Sequence, residues 1–175
     1  MDKILLVISG GIAAYKSLEL IRLFRKSGIK VRCVATESAL TFITPASIEY
    51  LSGNDLRTKL EDREQEMLMG HIELARWPDV VLVAPATANI ISAVANGLAS
   101  DLAQTILMAT TKPIVFAPSM NVRMWENKFL QKNIEVLKSN NIKFLGPNEG
   151  EMACGEFGMG RMMEPQQIFQ SLLKK

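Results

Sequence analysis

The sequence predicts a three-layer α/β/α domain built on a parallel sheet, and three observations carry that expectation. Apolar runs within Ile4–Ile8, Asp79–Ala84 and Lys112–Ala117 read as central strands buried on both faces. Helical stretches separate them, so strands and helices alternate along the chain. The strands open into short loops of small and polar residues, which is where such sheets bind ligands. At 175 residues, a single domain spanning 1–175 with a sizeable core is expected.

The bulk numbers exclude several classes. A net charge of +2 without clustering argues against nucleic acid. No apolar run approaches the ~18 residues of a membrane span, and the N-terminus has no signal-peptide layout. The two cysteines, Cys33 and Cys154, differ in context, so no disulfide is expected and a reduced, cytoplasmic protein fits. No metal site is expected. The one histidine is His71, so any imidazole chemistry falls to it.

The chain opens with the Ile4–Ile8 strand, a Ser9-Gly10-Gly11 turn and a helix starting at Ile12. Glycines there let an anion approach the backbone, and the helix N-terminus adds partial positive charge. The turn suits a phosphate, and it equally suits a junction that merely needs glycine. SGGIAAYK does not fit G-x-G-x-x-G, so it does not specify a nicotinamide dinucleotide. Through Lys26, Ala14, Leu18, Ile21 and Phe24 recur at helical spacing, opposite a solvated face of Glu19, Arg22, Arg25 and Lys26. Gly28 stops this helix. Lys30–Ala35 alternates as a strand, placing Val31, Cys33 and Ala35 on one face and giving Cys33 a core role without chemistry.

Thr36-Glu37-Ser38-Ala39 ends that strand. The hydroxyls of Thr36 and Ser38 suit a phosphomonoester, Glu37 would suit a ribose diol, and Ser38 also suits a helix cap. Pro45 is expected at the first position of a helix over Ala46–Leu51, and 53–70 reads as a charged loop with at most a helical turn. Beyond the Asp79–Ala84 strand, Pro85-Ala86-Thr87-Ala88-Asn89 forms another small polar loop, and a helix over Ile90–Asn96 ends at Gly97. Ser100 is expected to cap a helix running through Leu107. The Lys112–Ala117 strand leads into the most distinctive segment, Pro118-Ser119-Met120-Asn121-Val122-Arg123-Met124-Trp125. A helix over about Asn127–Ser139 and a short strand, Ile142–Leu145, follow. Residues 146–160 hold five of the eleven glycines and are expected to form a mobile flap without regular structure. A helix over Pro165–Leu173 closes the chain.

Taken together, SGGIAAYK, the TESA segment, His71, PATAN, Ser100-Asp101-Leu102, PSMNVRMW and ACGEFGMGRM resemble, in order and spacing, the flavin-containing cysteine decarboxylases. The likeness runs from residue 3 to about residue 165, and P-x-M-N-x-x-M-W is its most specific part. It is nearest to the branch acting on phosphopantothenoylcysteine in coenzyme A biosynthesis. The resemblance implies a three-layer Rossmann-like (flavodoxin-like) fold and FMN held between subunits of a homotrimer, with trimers often stacked into dodecamers. It also implies a phosphopantothenate–cysteine ligase, fused or separate, that makes the substrate.

The resemblance implies the reaction as well. Direct loss of CO₂ from an N-acylcysteine would leave a carbanion with no electron sink. Flavin oxidation of the thiol-bearing carbon to a thioaldehyde puts the carboxylate beta to C=S. The charge left by CO₂ then moves onto sulfur, and the resulting enethiol is reduced to 4'-phosphopantetheine. His71 is the implied base of the oxidation, while on its residues alone it could be a capping or packing histidine. Asn121 is implied to hold the substrate carboxylate without adding a cation, which matters because a strongly stabilised carboxylate resists decarboxylation. On the residues alone it could be a turn asparagine. Cys154 is the implied acid of the final reduction, a thiol being mostly protonated below its ordinary pKa of about 8.5. Met120 and Ala153 join Asn121 and Cys154 around the substrate, and Met124 and Trp125 are walls. Ser9, Gly10, Gly11, Ile12, Thr36 and Ser38 are the implied phosphate and flavin contacts, with Thr87, Asn89 and Ser100 near the ring or ribityl chain.

Other readings compete. An oxidative peptidyl-cysteine decarboxylase of lantibiotic maturation would share the histidine and PxMNxxMW but lack the cysteine step, and Cys154 argues against it. A non-catalytic, flavin-binding regulatory subunit would carry a long acidic tail or a lost catalytic residue. This chain ends in Lys174-Lys175 and keeps all three catalytic candidates. A nicotinamide-dependent dehydrogenase needs G-x-G-x-x-G. A flavin prenyltransferase is not expected to pair the histidine with PxMNxxMW.

Overall fold

The computed structural model describes residues 1–59, 70–153 and 155–174. Cys154 and most of the charged loop expected over 53–70 lie outside the described residues. Five strands, β1 (Lys3–Ile8), β2 (Lys30–Ala35), β3 (Val80–Ala86), β4 (Ile114–Pro118) and β5 (Lys143–Phe144), form a sheet in the order β2-β1-β3-β4-β5. All its pairings are parallel. The chain leaves β1 toward β2 and returns on the other side at β3, so the order reverses between β1 and β3. The carboxyl ends of those two strands therefore flank a crevice. This is the flavodoxin-like arrangement the sequence leads one to expect.

Alternation in the strands explains the layers. Ile4, Leu6 and Ile8 of β1, with Leu82 and Ala84 of β3, pack against α1 (Tyr15–Lys26), α2 (Pro45–Ser52) and the C-terminal helix over Pro165–Leu173. Leu5 and Val7, with Val81, Val83 and Phe116, pack against α3 (Gly70–Arg76), α4 (Ala88–Ala95), α5 (Leu102–Ala109) and a helix over Lys128–Ser139. A four-residue turn of helix, α6 (Val122–Trp125), precedes the latter, which becomes α7, and the C-terminal helix is α8. Burying each such side chain contributes about 1.5–3 kcal/mol, and Ile4 to Ile8 are all fully buried. Cys33 is buried in β2, and that burial pushes its thiol pKa up to about 12, which leaves it an inert core residue. Among the described residues no helix is long and apolar enough to cross a membrane.

Several expectations need correction. The cap after β2 is Thr36, whose hydroxyl accepts the Ala39 N–H at 3.3 Å, and Ser38 lies inside the short 3₁₀ turn that follows. The cap of α5 is Asp101, whose carboxylate accepts the Gln104 N–H at 2.7 Å, and Ser100 precedes it. β5 is shorter than Ile142–Leu145 because the Ile142 N–H is taken by the Leu137 carbonyl at the end of α7. The glycine-rich stretch is not irregular. It forms an antiparallel hairpin of β6 (Asn148–Glu151) and β7 (Phe157–Arg161). Gly158 and Gly160 seat it, since a Cβ would lie 2.8 Å from the Val122 side chain at the first and 2.3 Å from the Met120 carbonyl oxygen at the second.

Candidate active site

A cavity of about 1440 Å³ opens at the carboxyl ends of β1 to β4, and the β6–β7 hairpin forms part of its wall. Its first side is the turn Ser9-Gly10-Gly11-Ile12. The buried Ser9 hydroxyl donates to the Pro85 carbonyl at 2.7 Å and accepts the Thr87 N–H at 3.2 Å. The Ser17 hydroxyl, in the first turn of α1, donates to the Ala84 carbonyl at 2.6 Å. The loops after β1 and β3 are thereby one rigid unit.

The loop after β2 closes on the same turn. A Cβ on Gly10 would meet the Ser38 hydroxyl oxygen at 2.4 Å, so only glycine permits this approach. The Thr36 and Ser38 hydroxyls lie 3.0 Å apart, and the intervening Glu37 carboxylate is matched by Lys59 Nζ at 3.2 Å. Hydroxyl donors, glycine backbone and the start of a helix together fit the phosphate of FMN. On the second side, Thr87 and Asn89 stand at the start of α4, and Ser100 precedes α5. The buried Gln104 side chain fixes Ser100 by accepting its N–H at 3.0 Å. This polar arc fits the hydroxylated and ring portions of the same cofactor.

The third side is Ser119-Met120-Asn121. Asn121 caps α6: its Oδ1 accepts the Arg123 N–H at 2.7 Å, and its Nδ2 donates to the Glu156 carboxylate. With the oxygen so engaged, the amide presents its N–H side to an anion. The Met120 N–H bonds the Gly160 carbonyl at 3.0 Å and ties this loop to the hairpin. Met120, Asn121 and Ala153 all line the cavity.

All the cofactor candidates named from the sequence, and these three substrate candidates, thus face one cavity. His71 is set apart: it lies in the first turn of α3, its Nδ1 shielded from solvent, and it is not among the residues lining that space. Cys154 lies outside the described residues, between the lining residue Ala153 and Gly155. Reading the sequence missed Lys16. This lysine lines the cavity yet is buried, and its Nζ donates to Glu164 at 2.8 Å and to the Met162 carbonyl at 3.4 Å. Arg161 reaches the same carboxylate at 2.8 Å. The hydrogen bond from Lys16, followed by the charges of both cations, holds the Glu164 carboxyl below its ordinary range. The missed signal was spacing: Lys16 stands four residues before Leu20 and eight before Phe24, on the buried stripe of α1. Gln104 was missed too, since a lone glutamine on a helix gives no sign that it fixes a loop. Among the described residues no group of three or more metal-ligating side chains occurs.

Comparison with known proteins agrees with this geometry. The chain is 47% identical over 165 residues to the coenzyme A biosynthesis bifunctional protein CoaBC of Haemophilus influenzae, covering 94% of this chain and 41% of that protein. It is 48% identical over 166 residues to its Escherichia coli counterpart, covering 95% and 41%. The chain therefore spans about two fifths of the length of these curated relatives. Among solved structures, a cysteine-to-serine variant of PPC decarboxylase complexed with pantothenoylaminoethenethiol superimposes with a TM-score of 0.85 at 32% identity, over 98% of this chain and 96% of that one. The FMN binding protein AtHal3 follows at 0.82 and 33%, over 98% and 94%. The peptidyl-cysteine decarboxylase EpiD gives 0.82 at 27%, over 98% of each chain. The pattern of the Flavoprotein family matches residues 1–175, and the chain belongs to that family.

Proposed function

We propose that this chain is an FMN-dependent decarboxylase that converts 4'-phosphopantothenoylcysteine to 4'-phosphopantetheine in coenzyme A biosynthesis. The observation that carries the reading is Asn121, a cavity-lining residue whose amide oxygen is engaged by the cap of α6 while its N–H side donates to a carboxylate, that of Glu156. The likeness to PPC decarboxylase supports the substrate class.

When bound, FMN supplies two-electron oxidation of the cysteine side chain and later returns those electrons. Gly10, Gly11, Ile12, Thr36 and Ser38 hold its phosphate, with Ser9 bracing the turn and Thr87, Asn89 and Ser100 contacting the remainder. Asn121 orients the substrate carboxylate, and Met120 and Ala153 shield it from water. A neutral donor is the right choice here, because a cation would stabilise the carboxylate more than the charge-dispersed transition state. His71 takes a proton during oxidation and reaches the cavity from a neighbouring copy of the chain, which explains its distance from the cavity of its own chain. Cys154 donates the proton that completes the saturated product. The working form is a homotrimer, or trimers assembled into a dodecamer, in the reducing cytoplasm. A phosphopantothenate–cysteine ligase, fused or separate, supplies the substrate; the bifunctional naming of the longer relatives supports this partner.

A second reading is oxidative decarboxylation of a peptidyl cysteine, favoured by the fold shared with EpiD. Anaerobic incubation with phosphopantothenoylcysteine and mass spectrometry of the product separates the two. Loss of CO₂ alone supports the redox-neutral enzyme, and loss of CO₂ with two hydrogens supports the oxidative branch. Unchanged substrate, with flavin bound, overturns the substrate assignment.

A further inference from the structure

The amide assigned above to the substrate carboxylate already holds a carboxylate. Asn121 Nδ2 donates to Glu156, 35 residues further along the chain. The Asn121 oxygen accepts the Arg123 N–H, so the amide cannot turn over without breaking the cap of α6. Glu156 is delivered by built structure. Within the hairpin tip, the Gly155 N–H bonds the Met152 carbonyl at 2.9 Å, and the Met152 N–H bonds the Glu156 carbonyl at 2.9 Å. Below the tip, the Met120–Gly160 backbone bond and the two close-packed glycines seat the hairpin on the Asn121 loop.

We propose that Glu156 is an internal stand-in for the substrate carboxylate, holding the Asn121 amide until a substrate displaces it. The inference rests on the functional reading of Asn121 given above. Two carboxylates brought onto one amide repel each other, so the substrate anion and Glu156 exchange rather than share. A charged acceptor makes roughly twice as strong a hydrogen bond as a neutral one, so the incoming group must itself be an anion. Decarboxylation removes that anion. Glu156 then regains the amide as the product, which has no carboxylate, departs. The hairpin thereby loosens the hold on the substrate carboxylate while leaving product affinity untouched, and it keeps the Asn121 amide satisfied whenever the cavity holds no anion.

The test is calorimetric titration of the FMN-loaded protein with two ligands that are not turned over. One is phosphopantothenoyl-alanine, which keeps the carboxylate and lacks the thiol. The other is 4'-phosphopantetheine, which lacks the carboxylate. Glu156→Ala is expected to tighten the alanine compound roughly tenfold while leaving 4'-phosphopantetheine within about twofold. Glu156→Gln, which keeps a neutral acceptor for Asn121, is expected to fall between wild type and Glu156→Ala, and it carries the test alone if the alanine variant does not fold. Unchanged or weaker binding of the alanine compound by a folded variant overturns the stand-in role, and so does equal tightening of both ligands. Wild-type protein that binds neither ligand overturns the functional reading, and the stand-in role falls with it.

Discussion

Gly10 lies so close to Ser38 that a single added carbon would sit 2.4 Å from the serine oxygen. The loops after β1 and β2 meet there, and their contact makes the cradle read as the phosphate site. Gly10→Ala forces them apart by more than an ångström without touching the core. The expected result is a folded protein purified with little flavin, its FMN affinity weakened at least about tenfold. Flavin absorbance per mole of protein checks this, and a normal flavin content would remove the cradle from the phosphate assignment.

Asn121→Asp separates capping from anion binding. Aspartate caps a helix as well as asparagine, so α6 should persist and the melting temperature should stay within a few degrees. The new carboxylate, however, faces Glu156 and any substrate anion. The expected loss in kcat/KM is at least about a hundredfold, with flavin retained. Near-normal turnover would show that the substrate carboxylate is held elsewhere.

His71 lies apart from the cavity lined by its own chain, which makes a prediction about mixed assemblies. His71→Asn alone should lose about 10²–10⁴-fold in rate, as expected for removal of a general base, while staying yellow. Co-expression of His71→Asn with Asn121→Asp should restore part of the activity, because some cavities then combine an intact imidazole with an intact amide. Mixed oligomers as inactive as either parent would argue that His71 acts by another route or not at all.

The Glu164 carboxyl is held below its ordinary range by Lys16 and Arg161, so its contribution to stability has a defined pH window. A depressed folded-state pKa means the contribution is complete above the unfolded glutamate value of about 4.3. It is lost as pH falls through the lower folded value. Glu164→Gln should therefore melt at a lower temperature than wild type near neutral pH, and the gap should close below about pH 4. Melting curves between pH 3 and 7 check this, and a gap that persists unchanged in acid would contradict the ion-pair origin. The glutamine retains an acceptor for the α8 cap, so the comparison isolates the charge.

How much of this was legible follows from what each residue depends on. Ile4–Ile8, Val80–Ala84 and Ile114–Ala117 were readable because a strand covered on both faces must be continuously apolar. The PSMNVRMW loop was readable because it follows such a strand and carries side chains with little reason to recur together. The β6–β7 hairpin was not readable: NEGE has no apolar side chain, and in FGMGR the large residues Phe157 and Met159 are the exposed ones. Their pairing is stabilised by Gly158 and Gly160 fitting against Val122 and Met120, a tertiary fact without a local trace. Thr36 and Asp101 displaced the expected caps by one or two positions, a distinction that backbone angles decide and residue type does not. Lys16 was hidden by its own chemistry, because a lysine is read as solvated until its burial beside Glu164 is seen.

The cavity, at about 1440 Å³, is larger than the roughly 300–1,000 Å³ that ordinarily encloses one small molecule. A space of that size holds on the order of tens of water molecules, many of them against the apolar walls of Ile12, Met120, Met124, Met152 and Met162. Filling it in two stages, cofactor and then substrate, returns that water to bulk in two instalments. Each should register as a negative change in heat capacity, and the larger should accompany whichever ligand covers the methionine wall.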